Sequence, residues 1–157
     1  MGMDVYGRNP KENKSIEDFP TFKKFNTMDF KDKWKTLDKN EKLKDQYFKE
    51  QDAYEEVNCG NYFRNNCWWW RPLWNYCYAI ADDIISHEVW DSGHCNDGAG
   101  LNAEDAERLG KRILNHIDTG ECVKYQAQYM QMQEDDNGEF AKSYPFDVDN
   151  VRRFANF

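Results

Sequence analysis

Residues 62–74, YFRNNCWWWRPLW, set three consecutive tryptophans directly ahead of an Arg-Pro pair. Adjacent side chains cannot all face one way, because a strand alternates sides and a helix turns about 100° per residue. At least one of Trp68, Trp69 and Trp70 must therefore leave a common core. Pro72 suits the first position of a helix, where its missing N–H is not needed. Leu73, Cys77, Ile80 and Ile84 follow at helical spacing, and Tyr76, Ala81 and Ile85 widen the apolar face. This pattern predicts a central helix buried on more than one side and ending near His87. The block is expected to organise the packing of one compact domain, residues 1–157.

Upstream, Met3–Tyr6 alternate as a short strand, and Gly7-Arg8-Asn9-Pro10 is turn chemistry. Residues 11–35 are rich in Lys and Asn, with isolated aromatics at Phe19, Phe22, Phe25, Phe30 and Trp34. They read as clips onto a surface rather than a core of their own. Leu43, Tyr47, Tyr54 and Val57 share a stripe that predicts a helix between Asp38 and Val57, stopped by Asn58-Cys59-Gly60-Asn61.

Downstream, Asn102 can cap a helix, Asp105 can answer from its third position, and Leu101 can staple onto Ala106. Ala106, Leu109, Ile113 and Ile117 form its stripe and Gly120 its stop, so residues 103–118 are expected to be helical. Residues 121–133 read as a further helix with Val123, Ala127 and Met130 inward, although alternation over Val123, Tyr125, Ala127 and Tyr129 also fits a strand. Glu134–Glu139 reads as an acidic turn around Asn137-Gly138. Asp147 can cap a last helix in which Phe146 staples onto Val151. The fold class expected is mainly α, a bundle of four to five helices with a short N-terminal β-strand.

Aromatic residues make up 16% of the chain, so rings replace much of the usual aliphatic core. The net charge of -8 disfavours duplex nucleic acid and anionic lipid. Twelve basic and 13 acidic side chains lie in residues 1–56, against 9 and 16 in 57–157, which locates the acidity in the C-terminal two-thirds. A solvated acidic face explains this more simply than mimicry of nucleic acid. Five cysteines form an odd set, the first ten residues lack the pattern of a leader, and no apolar run reaches the roughly 18 residues of a membrane span. The expectation is a soluble, cytoplasmic protein with reduced thiols and no membrane partner.

Two readings of the aromatic block stand open. In one, two indoles pack inside and the third covers a neighbouring element or a homo-oligomer contact. In the other, Trp69 or Trp70 walls a pocket beside the planar donors of Arg64 and Arg71, which suits a base plus phosphate. The loop 93–100, GHCNDGAG, precedes a helix start, so the stretch around His94, Asn96, Asp97 and Gly98 could present backbone amides to an anion. It lacks the lysine and hydroxyl residue of a phosphate loop. A metal site from His87, His94, Cys95 and Asp97, with Cys59, Cys67 or Cys77 as distant ligands, resembles no zinc template, and cysteines buried as small apolar residues are the favoured explanation of the same facts. Cys95 and His116 could form a nucleophile pair only if the fold joined them. Asp82-Asp83 reads as the polar end of the central helix. No catalytic residue, metal site or cofactor is assigned.

The opening MGMDVYGRNP, the block YFRNNCWWWRPLW and the later NDGAGL leading into a helix resemble a family of small uncharacterised proteins of phage and bacterial genomes, with an echo in YPFDVDNVRRFANF at 144–157. The resemblance implies a phage-genome setting and makes residues 11–58 an insertion. Similar chains carry a C-x-x-C-x-G-T-G-like loop where this one has EDDNGEF, so no metal role is carried over. The expected function is that of a noncatalytic, phage-type accessory protein, host-defence-counteracting in one form. It would engage a host protein or sequester a small phosphorylated or nucleotide ligand. The alternatives are a small hydrolytic or metal-assisted enzyme using the His94/Asp97 loop, and an assembly protein with a tryptophan-mediated interface.

Overall fold

The computed structural model describes residues 2–10, 12–135 and 144–157. The chain is mainly helical, with eight α-helices and a two-stranded sheet among the described residues. The class is as expected, but the helices outnumber the predicted four to five. The additional ones are short, and each begins on a local start signal. Pro20 opens one helix, Asp29 accepts from the Lys31 amide at the start of another, and Ser86 from the Val89 amide at a third.

Two compact units divide the chain, Gly7–Tyr62 and Met1–Tyr6 with Phe63–Phe157. In Gly7–Tyr62, α1 (Pro20–Asn26), α2 (Phe30–Leu37) and α3 (Glu41–Val57) enclose Phe19, Phe22, Phe25, Leu37 and Tyr47. This corrects the reading of residues 11–35 as surface clips. Their aromatics meet the stripe of α3, with Phe22 against Tyr47 and Tyr54 at ring distances of 5.8 and 5.3 Å. No side chain adjacent to α1 caps it, so Glu50 of α3 supplies the acceptor for the amides of Thr21 and Phe22, at 2.7 and 2.9 Å. The buried Asn58 amide accepts from the N–H groups of Asn13 and Lys14 and donates to the Lys14 carbonyl. Gly60 ends this stretch at φ 92°, and a Cβ on Gly7 would lie 1.5 Å from the Gly60 oxygen.

In the other unit, β1 (Gly2–Tyr6) pairs with β2 (Tyr62–Asn66), which runs directly into α4 (Cys67–Ile80). The helix begins five residues earlier than Pro72. Asn66 causes this, because its side chain accepts from the amides of both Trp68 and Trp69 (3.1 and 3.0 Å) and nucleates the turn. Pro72 is thus inside the helix, and the Trp68 carbonyl loses the donor it would have had four residues on. The helix also stops earlier than predicted, at Ile80 rather than His87. Arg112 donates to the Ile80 carbonyl (3.2 Å) and clasps Asp83 just beyond it, while Ile84 and Ile85 stay buried in a turn.

After α5 (His87–Ser92), α6 (Ala103–Asp118) follows its expected caps, with the Asp105 amide donating to Asn102 Oδ1 at 2.9 Å and Gly120 at φ 78° beyond its end. Leu109, Ile113 and Ile117 are buried, whereas Ala106 is exposed. The next segment is helical, α7 (Glu121–Asp135), but turned relative to the prediction. Val123, Ala127 and Met130 face solvent, and Cys122, Tyr125 and Tyr129 pack inward. Tyrosine offers more area than valine or alanine, and its polar end can be satisfied: Tyr129 donates to the Tyr144 carbonyl (2.8 Å), and Gln126 accepts from the Val148 amide (3.2 Å). The chain closes with α8 (Val148–Asn156), with Phe146 and Val151 buried. Glu134 and Asp135 belong to α7, and the rest of the predicted acidic turn, including Asn137-Gly138, lies outside the described residues.

Candidate functional site

Because Asn66 starts α4 one residue before Cys67, the three tryptophans are distributed around a helix. Trp70 is 4% exposed, Trp69 is half-buried and Trp68 is 47% exposed. Trp70 stacks on Trp74, one turn on, at 5.4 Å and 14°, and meets Phe154 edge-on at 5.5 Å. Its Nε1 donates to the Gly93 carbonyl at 2.7 Å. Trp74 Nε1 donates to the Trp90 carbonyl (2.9 Å), and Trp90 Nε1 to Asn75 Oδ1 (3.0 Å). Three indole donors thereby fasten α5 and the following turn to α4. A Cβ on Gly93 would come within 2.2 Å of Trp74 Nε1, so the position demands glycine. Trp70, expected as a stacking wall, has its faces taken by Trp74 and Phe154. Trp68 is the ring left open.

Trp68 and Arg71 are three residues apart and share the exposed side of α4. Trp68 meets Tyr144 at 5.0 Å and 67°, and Arg71 Nη1 donates to the Tyr144 hydroxyl at 3.0 Å. Arg71 has no carboxylate partner among the described residues. His94 is half-buried, edge-on to Trp90 at 5.2 Å, and its buried Nδ1 has no hydrogen-bond partner among the described residues. Burial, with the positive charge of Arg71 adding to it and Asp91 opposing, holds this imidazole below its ordinary 6.5. The neutral form of His94 is thus favoured near the charge of Arg71, which meets no carboxylate among the described residues.

The other predicted residues serve different ends. Arg64 on β2 faces Asp4 of β1, Nε to Oδ1 3.4 Å, and so is engaged apart from Arg71. Asn96 acts as a short artificial strand, accepting from the Asp4 amide (3.2 Å) and donating to the Gly2 carbonyl (2.8 Å) along one edge of β1. Asp97 accepts from the Ala99 amide at 3.1 Å, and Gly98 follows at φ 88° with open space around it. These contacts describe a tethered loop. Cys95 is exposed there, while His116 of α6 lies against Tyr76, ring to ring 6.4 Å. Asp83 takes Arg112 and Arg108 as an end-clamp between α4 and α6. Among the described residues no group of three His, Cys, Asp or Glu is placed to hold a metal, and no helix is long and apolar enough to cross a membrane.

The site that emerges is Trp68, Arg71, Tyr144 and His94. Arg71 and His94 were candidates from the sequence, and Trp68 became one only once the helix start was known. Tyr144 carried no local signal, since it arrives from a segment 73 residues away. Comparison with known proteins returns no match to a family model, a curated protein or a solved structure.

Proposed function

We propose that this chain is a noncatalytic binding protein whose Trp68–Arg71 face takes a small, flat, anionic ligand of the nucleotide class. The supporting observation is Arg71, a guanidinium without a carboxylate partner among the described residues, which donates to the Tyr144 hydroxyl, bears electrostatically on His94 and lies one helical turn from a half-exposed indole. A phosphate would supply the missing counter-charge in bidentate geometry, and the indole would cover one face of a base. The setting implied by the resemblance makes the protein an accessory of phage type that sequesters its ligand rather than transforming it.

Calorimetric titration with mononucleotides and cyclic nucleotides tests this. Heat should be seen with at least one of them and vanish with Arg71→Ala, and Trp68→Ala should weaken binding about tenfold, the worth of one stacked base. Silence with every nucleotide, or unchanged binding by Arg71→Ala, overturns the proposal. So does a homo-oligomer that Trp68→Ala dissociates.

A further inference from the structure

A second aromatic surface occurs within Gly7–Tyr62, and the Trp68 site has no part in it. Phe30, at the start of α2, is 72% exposed and stands edge-on to Trp34 one turn later, ring centroids 6.2 Å apart. Trp34 leans on Phe48 of α3 at 6.2 Å and 39°, and Phe48 is itself 40% exposed. Neither Phe30 nor Phe48 belongs to the buried cluster of Phe19, Phe22, Phe25, Leu37 and Tyr47. Phe30 and Phe48 are therefore extra to the core, while Trp34 is half-buried against it and presents one side between them, on a surface where large aromatics are ordinarily avoided.

Lysines frame this row. Lys33 Nζ lies 5.5 Å from the Trp34 ring and 4.3 Å from that of Tyr47, and Lys44 Nζ lies 5.9 Å from Trp34. Lys31 and Lys35 project from α2 exposed and in no ion pair among the described residues. The stretch Gly7–Tyr62 is neutral overall rather than acidic. Residues 7–62 carry 12 basic and 12 acidic side chains, so the net charge of -8 belongs wholly to the remainder. Within α2 three lysines outnumber the single Asp32, whereas α3 carries six acidic side chains and three lysines, so the positive charge is concentrated on α2.

We infer that the α2–α3 face binds single-stranded nucleic acid, with unpaired bases stacking on Phe30 and on the Trp34–Phe48 pair while Lys31 and Lys35 contact successive phosphates. Unpaired ammonium groups alone would suit any polyanion, an acidic peptide included. Exposed flat rings spaced among them select a chain that alternates flat apolar faces with phosphates. A duplex hides those faces in its own stack, so it should not compete.

Fluorescence anisotropy of labelled oligo-dT and oligo-rU, each about 15 nucleotides, against the full chain at low salt provides the test, with a duplex of equal length beside them. Binding to a single strand is expected, with the duplex at least tenfold weaker and Phe30→Ala lowering affinity at least fivefold. Lys31→Gln with Lys35→Gln should flatten the dependence of log K on log salt by about 1.4, two phosphate contacts on a single strand. All three side chains are exposed, so circular dichroism of the variants should match the parent. No binding, equal binding to duplex, or Phe30→Ala binding like the parent overturns the inference. Light scattering that shows Phe30→Ala dissociating a dimer, or vesicle flotation that depends on Phe30, would reassign the surface to a second copy or to lipid and likewise overturn it.

Discussion

Trp68 and Trp70, two residues apart, should differ sharply when each is replaced by alanine. Trp70 is almost fully buried, stacked on Trp74 and edge-on to Phe154, and satisfies the Gly93 carbonyl. Removing it leaves a cavity and an unpaired acceptor, for a loss of about 3–5 kcal/mol. Trp68 is half exposed and gives up chiefly its edge contact with Tyr144, worth about 0.5–1.5 kcal/mol. With a urea m-value of about 2 kcal/mol/M, the midpoint should fall by roughly 2 M for Trp70→Ala and by less than about 0.8 M for Trp68→Ala. Tryptophan fluorescence suits the measurement, because five of the six tryptophans lie in residues 63–157. Trp70→Phe keeps most of the packing and removes the donor, so it should fall between them at about 1–2 kcal/mol. Equal midpoints for the two alanine variants would refute the assignment of Trp68 as the open ring, and with it the helix start at Cys67.

Asn58→Ala removes three hydrogen bonds that tie Asn13 and Lys14 to the end of α3, and should cost about 2–4 kcal/mol. Hydrogen exchange read by mass spectrometry should show protection falling in residues 12–57 while residues 103–118 keep theirs. His94, held below 6.5 in the folded protein, stays neutral while the unfolded chain takes up a proton. Stability should therefore decline as pH falls below about 6.5 and level off beneath the folded value. An NMR titration should give a His94 midpoint below 6.5 that rises in Arg71→Ala, and a midpoint at or above 6.5 in the parent would contradict the geometry.

The legible features were those in which a residue acts on its own neighbours. Asn102 with Asp105 marked the start of α6, the spacing of Leu109, Ile113 and Ile117 its buried side, and Gly60 and Gly120 the left-handed turns after two helices. Helical class follows from such local chemistry, since caps and periodic apolar positions act within a few residues. Asn66 is equally local, but the expected start rested on the preference of proline for a first turn and took no account of it. Two amides on one side chain suffice to start α4 early and carry Pro72 inside it.

Tertiary packing decided what spacing left undetermined. On α7 the competing faces were Val123–Ala127–Met130 and Cys122–Tyr125–Tyr129, and the second lies inward because Tyr76 and Phe146 receive its rings and the Tyr144 carbonyl its hydroxyl. The scattered phenylalanines of residues 19–25 became a core only against Tyr47 and Tyr54, 22 to 35 residues on. The Trp68 site depends in the same way on Tyr144 and His94, which no local rule brings to Arg71. Composition and caps therefore determined that the chain is helical and where several helices begin. Which face each helix buries, and which of three identical neighbouring indoles meets solvent, was decided by partners distant in sequence, because burial is a property of the assembled surface and not of the segment.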